Sequence, residues 1–305
     1  LIFSFLLPWT TGFIIKNNYV QPKAYINTKI IQPNISLSEK RTNLNKSLLT
    51  LINLSTISSN DSVDLIIWPE SSISNRFLIN DNYNNRVSRN MNIFLENDNI
   101  NLVAGLEANY TDKRFNSSVL FTGDSIANIY HKQRLVPNVE HTPDFFDKIG
   151  YNMGQSNFSI GKKLSMFNVN QISFGSMICI ESIFPNPTRL FVNNGAEFIV
   201  YIVNDGWYTK APEPQQHAKR CIYRAIENRR SVIRCANTGI SMTVDPYGNI
   251  THQLELNKSG VINANIIISD RKTFYTKYGN LFSILNLFSL ILMGLFIIFK
   301  KRIKS

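Results

Sequence analysis

VDLIIWPESS, residues 63–72, begins as a short apolar run rich in Val and Ile and stops on a proline followed at once by a carboxylate, Glu70. A run this short, bounded by a turn signal, reads as a strand, and its lack of polar alternation assigns it to a sheet covered on both faces. Two further apolar runs end in the same manner. Residues 126–130 lead into His131 and Lys132, and residues 171–178 lead into Cys179, with Glu181 close behind. Sheets hold what they carry rigidly and the following loop exposes it, so strand ends are where α/β folds place their chemistry.

Outward from these runs the same pattern continues. Residues 102–106, 117–121, 197–203, 231–234, 240–244 and 260–266 also read as strands, and 171–179 includes the cysteine. Helical patterns cover 38–55, 84–97 and 213–228; Leu44, Leu48, Leu49, Ile52 and Leu54 share a face, and Pro212 and Pro214 suit a first turn. Strands interleaved with helices predict an α/β core. Residues 20–270 hold no internal repeat and no Pro/Gly/Ser-rich linker, which predicts one domain.

The three strand ends deliver a carboxylate, an amine and a thiol. A thiolate is a strong nucleophile but needs a base to form near neutrality. A buried glutamate can serve as that base, and a lysine ammonium can stabilise the oxyanion formed on attack at a carbonyl. Glu70, Lys132 and Cys179 are thus a complete set for acyl transfer through a thioester, with no histidine, metal or cofactor required. Each residue also has a plainer reading: Cys179 as a small core side chain, Lys132 with Arg134 as a solvated pair, Glu70 as a helix cap. Cys221, within a helical pattern, and Cys235, just after a strand, are assigned to packing. The cysteine count is odd, which leaves at least one thiol free, and no cysteine pair has zinc-knuckle spacing.

The 305 residues carry a formal net charge of +11. The basic residues are dispersed, apart from the cluster at 300–304, so a nucleic-acid footprint is not supported. A mildly basic surface beside anionic lipid explains the charge as well. Residues 281–299, LFSILNLFSLILMGLFIIF, hold no charge, and at helical rise their 19 residues span roughly 28 Å, near the thickness of a bilayer core. A buried core helix is the competing reading. The basic cluster that follows, Lys300-Lys301-Arg302-Ile303-Lys304, assigns the C-terminus to the cytoplasm. Residues 1–15 are apolar but short, and read as the tail of a membrane helix or a shallow anchor.

Three motifs resemble those of the nitrilase superfamily and, within it, the apolipoprotein N-acyltransferases. IIWPESS at 66–72 resembles the glutamate motif, YHKQRLVPNVEHTP at 130–143 the lysine motif and FGSMICIES at 174–182 the nucleophile motif. NDGWY at 204–208 and the stretch 214–241 resemble the acyltransferase branch. The resemblance implies a four-layer αββα sandwich with Glu70 as general base, Lys132 as oxyanion-binding lysine and Cys179 as nucleophile. It further implies Glu140 and Glu181 as orienting carboxylates and the backbone N–H of Ile180 as an oxyanion donor. Ile180 departs from the family, many of whose members carry an aromatic residue there.

The implied reaction moves an acyl chain from a phospholipid to Cys179 and on to the N-terminal diacylglyceryl-cysteine amine of a lipoprotein. The expected layout is a membrane segment at 1–16, a periplasmic catalytic domain at 17–275, a transmembrane helix at 280–299 and a cytoplasmic tail at 300–305, in a bacterial inner membrane. The family carries a bundle of membrane helices ahead of its catalytic domain. Of that bundle the sequence holds at most the last turns, so a separate bundle is a candidate partner. The alternative is a membrane-anchored amidase or carbamoylase, in which water replaces the amine. A catalytically dead binding module is a third reading, and the presence of all three strand-end residues opposes it.

Overall fold

The computed structural model describes residues 2–17, 22–57, 62–78, 90–91, 93–96, 100–110, 112–137, 139–142, 157–207 and 212–304. Its strands are β1 (Ala24–Gln32), β2 (Leu65–Ile67), β3 (Ile73–Leu78), β4 (Asn101–Asn109), β5 (Arg114–Thr122), β6 (Ser125–His131), β7 (Met166–Val169), β8 (Ile172–Ile178), β9 (Phe198–Val203), β10 (Ser231–Ala236), β11 (Ser241–Val244), β12 (Ile250–Leu254) and β13 (Gly260–Ile268). They form two sheets: one in the order β13-β1-β2-β4-β5-β6, with β3 also paired to β4, the other in the order β12-β11-β10-β9-β8-β7. Each sheet is mixed, with parallel pairs at its centre (β1–β2–β4 and β8–β9–β10) and antiparallel pairs at its edges.

Side-chain alternation along the strands decides how the layers stack, since neighbouring residues point to opposite faces. Ile30, Ile67, Val103 and Leu120 pack into a core shared with Phe174, Val200 and Ile233 of the second sheet. Their sequence neighbours Ile31, Ile66, Leu102 and Val119 face the other way, onto Leu48 and Leu51 of the helix Leu44–Ser55 and onto Phe94 and Leu95. The first sheet is therefore apolar on both faces, as its unalternating runs predicted. The second sheet is covered by Ala218, Cys221 and Ala225 of the helix Glu213–Asn228 and by Phe191 and Val192 of the helix Pro185–Asn193. The layers run helix, sheet, sheet, helix. At about 1.5–3 kcal/mol for each fully buried large apolar side chain, this double burial dominates the stability of the fold.

Several local expectations need correction. Residues 38–55 are not one helix but two, Leu37–Thr42 and Leu44–Ser55, interrupted at Asn43. Asn43 leaves helical dihedrals (φ −138°, ψ 70°) and its side chain accepts the Lys46 amide at 3.2 Å, the competition with backbone pairing that makes Asn a cap. Strands β1, β3, β7 and β12 were not foreseen. Lys29 breaks the apolar run of β1, yet it is buried, its amine donating to the carbonyls of Ser55 (2.9 Å) and Ile57 (2.7 Å) at the end of the neighbouring helix. β7 is only four residues long, and β12 is an edge strand with most of its side chains in solvent. Cys235 lies inside β10 rather than after it. Of the expected helix 84–97, residues 90–91 and 93–96 are helical, and 84–89, 92 and 97 lie outside the described residues.

The C-terminal helix runs Leu281–Lys304, and among the described residues Leu281–Lys300 is the one segment long and apolar enough to cross a membrane. Phe282, Leu290 and Phe296 are all exposed, and no part of that segment is buried. A core helix hides its apolar face against neighbours, so this exposure removes the core-helix reading. An apolar helix, Ile2–Asn17, also precedes β1.

Candidate active site

β2 hydrogen-bonds in parallel to β4, and β5 is antiparallel to both β4 and β6, so β6 runs in the direction of β2 and ends at the same edge of the sheet. That edge receives Glu70 from one strand and Lys132 from the other. The exit of β2 is pinned before it reaches the carboxylate. Trp68 is buried, its indole N–H donates to Ser55 Oγ at 2.9 Å, and its ring stacks on Phe94. The Glu70 turn then lies directly on β4 at Gly105, where a Cβ would come within 2.6 Å of the Glu70 Cα. Lys40, itself buried, donates to the backbone carbonyls of Glu70 (3.4 Å) and Ser71 (3.2 Å). Burial pulls the Lys40 amine down to about 8, against the opposing attraction of Glu70.

Three of the expected residues meet in one cluster. The Lys132 ammonium is almost wholly buried and donates to Glu140 Oε1 at 2.8 Å and to Glu70 Oε1 at 3.2 Å. Burial alone would lower the pKa of this amine; the carboxylates of Glu70 and Glu140, with Cys179, outweigh it and hold it above its usual range. Lys132 is therefore no solvated surface residue. Glu140 is fixed on its other oxygen by the Val136 amide at 2.8 Å, and Glu70 by the Asn204 amide at 2.9 Å.

One member of the cluster escaped the sequence reading. Asn116 of β5 donates from Nδ2 to Glu70 (2.7 Å) and to Glu140 (2.8 Å), bridging the two carboxylates, while its carbonyl accepts the Lys132 amide at 2.9 Å. Nothing in the stretch RFNSSVLF marks it. Its role follows from strand pairing, which sets Asn116 beside the end of β6. Asn204, in contrast, stood inside the NDGWY stretch; Tyr208 of that stretch lies outside the described residues. The loop 138–146 is where the same resemblance leads one to expect contact with acyl chains; its residues 138 and 143–146 also lie outside the described residues.

Cys179 follows β8 and opens the short 3-10 turn Cys179–Ile183. Its φ of 51° is left-handed, a conformation that costs a residue with a Cβ about 1–2 kcal/mol and needs outside support. A sharp strand-to-helix turn of this kind projects a nucleophile from the end of a sheet. Burial and the negative charge of Glu70 push the thiol well above its usual range, opposed by Lys132. Ile180, half-buried, is the next residue of the turn.

Glu181 does not join Glu70 and Lys132 as a hydrogen-bonding partner. It is fully buried and accepts from the Tyr130 hydroxyl (2.8 Å) and from the amides of Gln133 (2.8 Å), Arg134 (3.1 Å) and Ile178 (2.8 Å). Burial raises its pKa, while those amides and the hydroxyl oppose the rise. Glu181 thus ties the segment that carries Lys132 to the turn that carries Cys179. Cys221 and Cys235 are fully buried elsewhere in the core, and all three thiols are free.

A family model described as Carbon-nitrogen hydrolase matches residues 29–274. Similar curated proteins include an apolipoprotein N-acyltransferase of Geobacter metallireducens, 31% identical over 72% of this chain and 43% of that protein. Another, from Chlorobaculum tepidum, is 30% identical over 84% of this chain and 54% of its own length. The chain thus spans about half the length of the curated relatives it matches. Among solved structures, Saccharomyces cerevisiae Nit3, a member of branch 10 of the nitrilase superfamily, superposes with a TM-score of 0.63 at 19% identity, over 81% of this chain and 91% of Nit3. A carbon-nitrogen hydrolase from Helicobacter pylori G27 gives 0.59 at 18% identity, over 80% of this chain and 89% of the other. At these identities the structures speak for the nitrilase sandwich alone.

Proposed function

The chain belongs to the carbon-nitrogen hydrolase family, and from that premise we propose that it is the catalytic portion of an apolipoprotein N-acyltransferase working through a thioester on Cys179. The observation that supports this most is the buried Glu70–Lys132–Glu140 cluster within electrostatic reach of the Cys179 sulfur. The names of the similar proteins supply the reaction class.

In the proposed reaction Glu70 takes the thiol proton as sulfur attacks the ester carbonyl of a phospholipid. The developing oxyanion is stabilised by the Lys132 ammonium and the Ile180 N–H. The ester C–O bond breaks, Glu70 returns the proton to the departing oxygen, and a lysophospholipid leaves. The α-amine of a diacylglyceryl-cysteine then attacks the thioester, the C–S bond breaks, and the amine proton passes through Glu70 to the thiolate. Lys132 rests between two carboxylates, Glu140 keeps its ammonium paired while Glu70 holds the proton, and Asn116 fixes the spacing between the two acids. Both substrates reside in a bilayer. The exposed helix Leu281–Lys304 would hold the site beside them, raising their effective concentration. The catalytic domain is assigned to the periplasmic side and the basic C-terminus to the cytoplasm, in keeping with the lysines and arginine at 300–304.

The test is mass spectrometry of membrane-purified protein incubated with phospholipid and no acceptor. A hydroxylamine-sensitive fatty-acyl adduct on Cys179, absent from Cys179→Ala, is the expected result. Release of free fatty acid without an accumulating adduct would move the assignment to an amidase-like hydrolase that uses water. Neither product from folded, reduced protein would overturn the thioester route.

A further inference from the structure

Beneath the nucleophile turn lies a second buried polar set that the proposed reaction does not use. His217, from the helix Glu213–Asn228, places Nδ1 2.9 Å from Asp205 Oδ1 and Nε2 3.2 Å from the carbonyl oxygen of Cys179. Asp205, in the turn after β9, is held on its other oxygen by Arg234 Nη2 of β10 at 2.7 Å. The Ser182 hydroxyl completes the set, donating to the Cys179 carbonyl at 2.9 Å and lying 3.1 Å from His217 Nε2. Asp205 and Arg234 are fully or nearly fully buried and His217 is close to it. Gly239 keeps room for them, since a Cβ there would stand 2.2 Å from Asp205 Oδ2.

A buried ion pair adds little stability over well-packed apolar residues, so stability alone is a weak reason for charges at this spot. Their position suggests another. The peptide unit joining Cys179 to Ile180 is planar, and in its trans form the carbonyl of one residue and the N–H of the next point in opposite directions. Holding the Cys179 carbonyl toward His217 and Ser182 therefore turns the Ile180 N–H away from them. We propose that Asp205, His217, Arg234 and Ser182 form a positioning relay that fixes this peptide plane, and through it the oxyanion-binding N–H of Ile180. The relay acts through the backbone and touches no substrate. It rests on the assignment of Cys179 as the acyl-accepting residue.

Acylation and alkylation of Cys179 separate this role from simple support of the turn. Acylation builds an oxyanion and needs the N–H, whereas alkylation by iodoacetamide builds none and needs only the sulfur. The experiment compares p-nitrophenyl butyrate, read as the first-turnover release of nitrophenolate, with iodoacetamide, both on the full-length chain in detergent. His217→Ala is expected to slow acylation by about 100-fold, the scale of a lost oxyanion donor, while alkylation stays within about twofold. His217→Gln, whose amide can still donate to the carbonyl, is expected to recover part of the loss. Should His217→Ala fail to fold, Ser182→Ala decides between the outcomes by the same two rates. The relay is overturned if folded variants acylate at the wild-type rate, or if acylation and alkylation fall together. Failure of the wild-type chain to acylate at all would instead strike the thioester assignment.

Discussion

Cys179 is 8% exposed, while Cys221 and Cys235 are at 0%. Burial raises both of those thiols, Cys221 to about 11, with nearby arginines opposing, and neither touches the carboxylate cluster. The Cys179 thiol is raised as well, so access and the neighbouring Lys132 and Glu70 make the difference, and iodoacetamide should label Cys179 alone in the folded chain, as peptide mapping would reveal. Cys221→Ser and Cys235→Ser should keep the proposed activity; the latter preserves donation to the carbonyls of Ile31 and Ile67, both 3.3 Å away. Loss of activity in either variant, with the fold intact, would redirect the search for the nucleophile. Asp205 makes a pH prediction. Burial would raise its pKa, but Arg234 and His217 prevail and hold it down to about 2. A depressed carboxylate stabilises the fold above its unfolded pKa, near 4, and loses that contribution as pH falls through its folded value. The stability gap between wild type and Asp205→Asn, on the order of 2 kcal/mol at neutral pH, should close between about pH 4 and 2 in denaturant titrations.

At the level of elements, the site depends on loops resting against strands. Gly105 of β4 donates its N–H to the Pro69 carbonyl at 3.2 Å and leaves no space between β4 and the Glu70 turn. Gly105→Ala would push a methyl against Glu70 Cα, the Pro69 oxygen and the Ser71 nitrogen, which are backbone atoms with little freedom to yield. The expected result is a stability loss of about 1–3 kcal/mol and a larger proportional loss of acylation, because Glu70 shifts relative to Lys132. Equal activity per folded molecule would show that the turn tolerates displacement. Glu181 couples two elements in the same spirit. Glu181→Ala leaves the amides of Ile178, Gln133 and Arg134 without their acceptor and should cost on the order of 3 kcal/mol. Glu181→Gln, which keeps one acceptor oxygen, should cost less; thermal unfolding of the two variants measures the difference.

For the whole molecule, the sandwich and the C-terminal helix treat their apolar side chains in opposite ways. Residues 24–268 bury their apolar strands between layers, while the helix Leu281–Lys304 exposes its own. A chain ending at Asn280 should lose part of its retention in alkaline-washed membranes and keep its sheet signal in circular dichroism. Unchanged retention would assign anchoring to the helix Ile2–Asn17 instead. The sequence by itself determined the class of fold, since unalternating apolar strands between helical patterns can be satisfied only by a sheet covered on both faces. It also marked Glu70, Lys132 and Cys179, because each follows directly on a strand whose end is legible. The short, interrupted or solvent-edged strands β1, β7 and β12 were not legible, as their pattern emerges only from neighbours. Tertiary structure alone brought Asn116 between two carboxylates and separated Glu181 from them despite its closeness to Cys179 in sequence. It alone gathered Asp205, His217 and Arg234 beneath the Cys179 turn from a turn, a helix and a strand. Hydrogen bonds between such distant segments depend on pairing register and layer packing, and no local spacing records either.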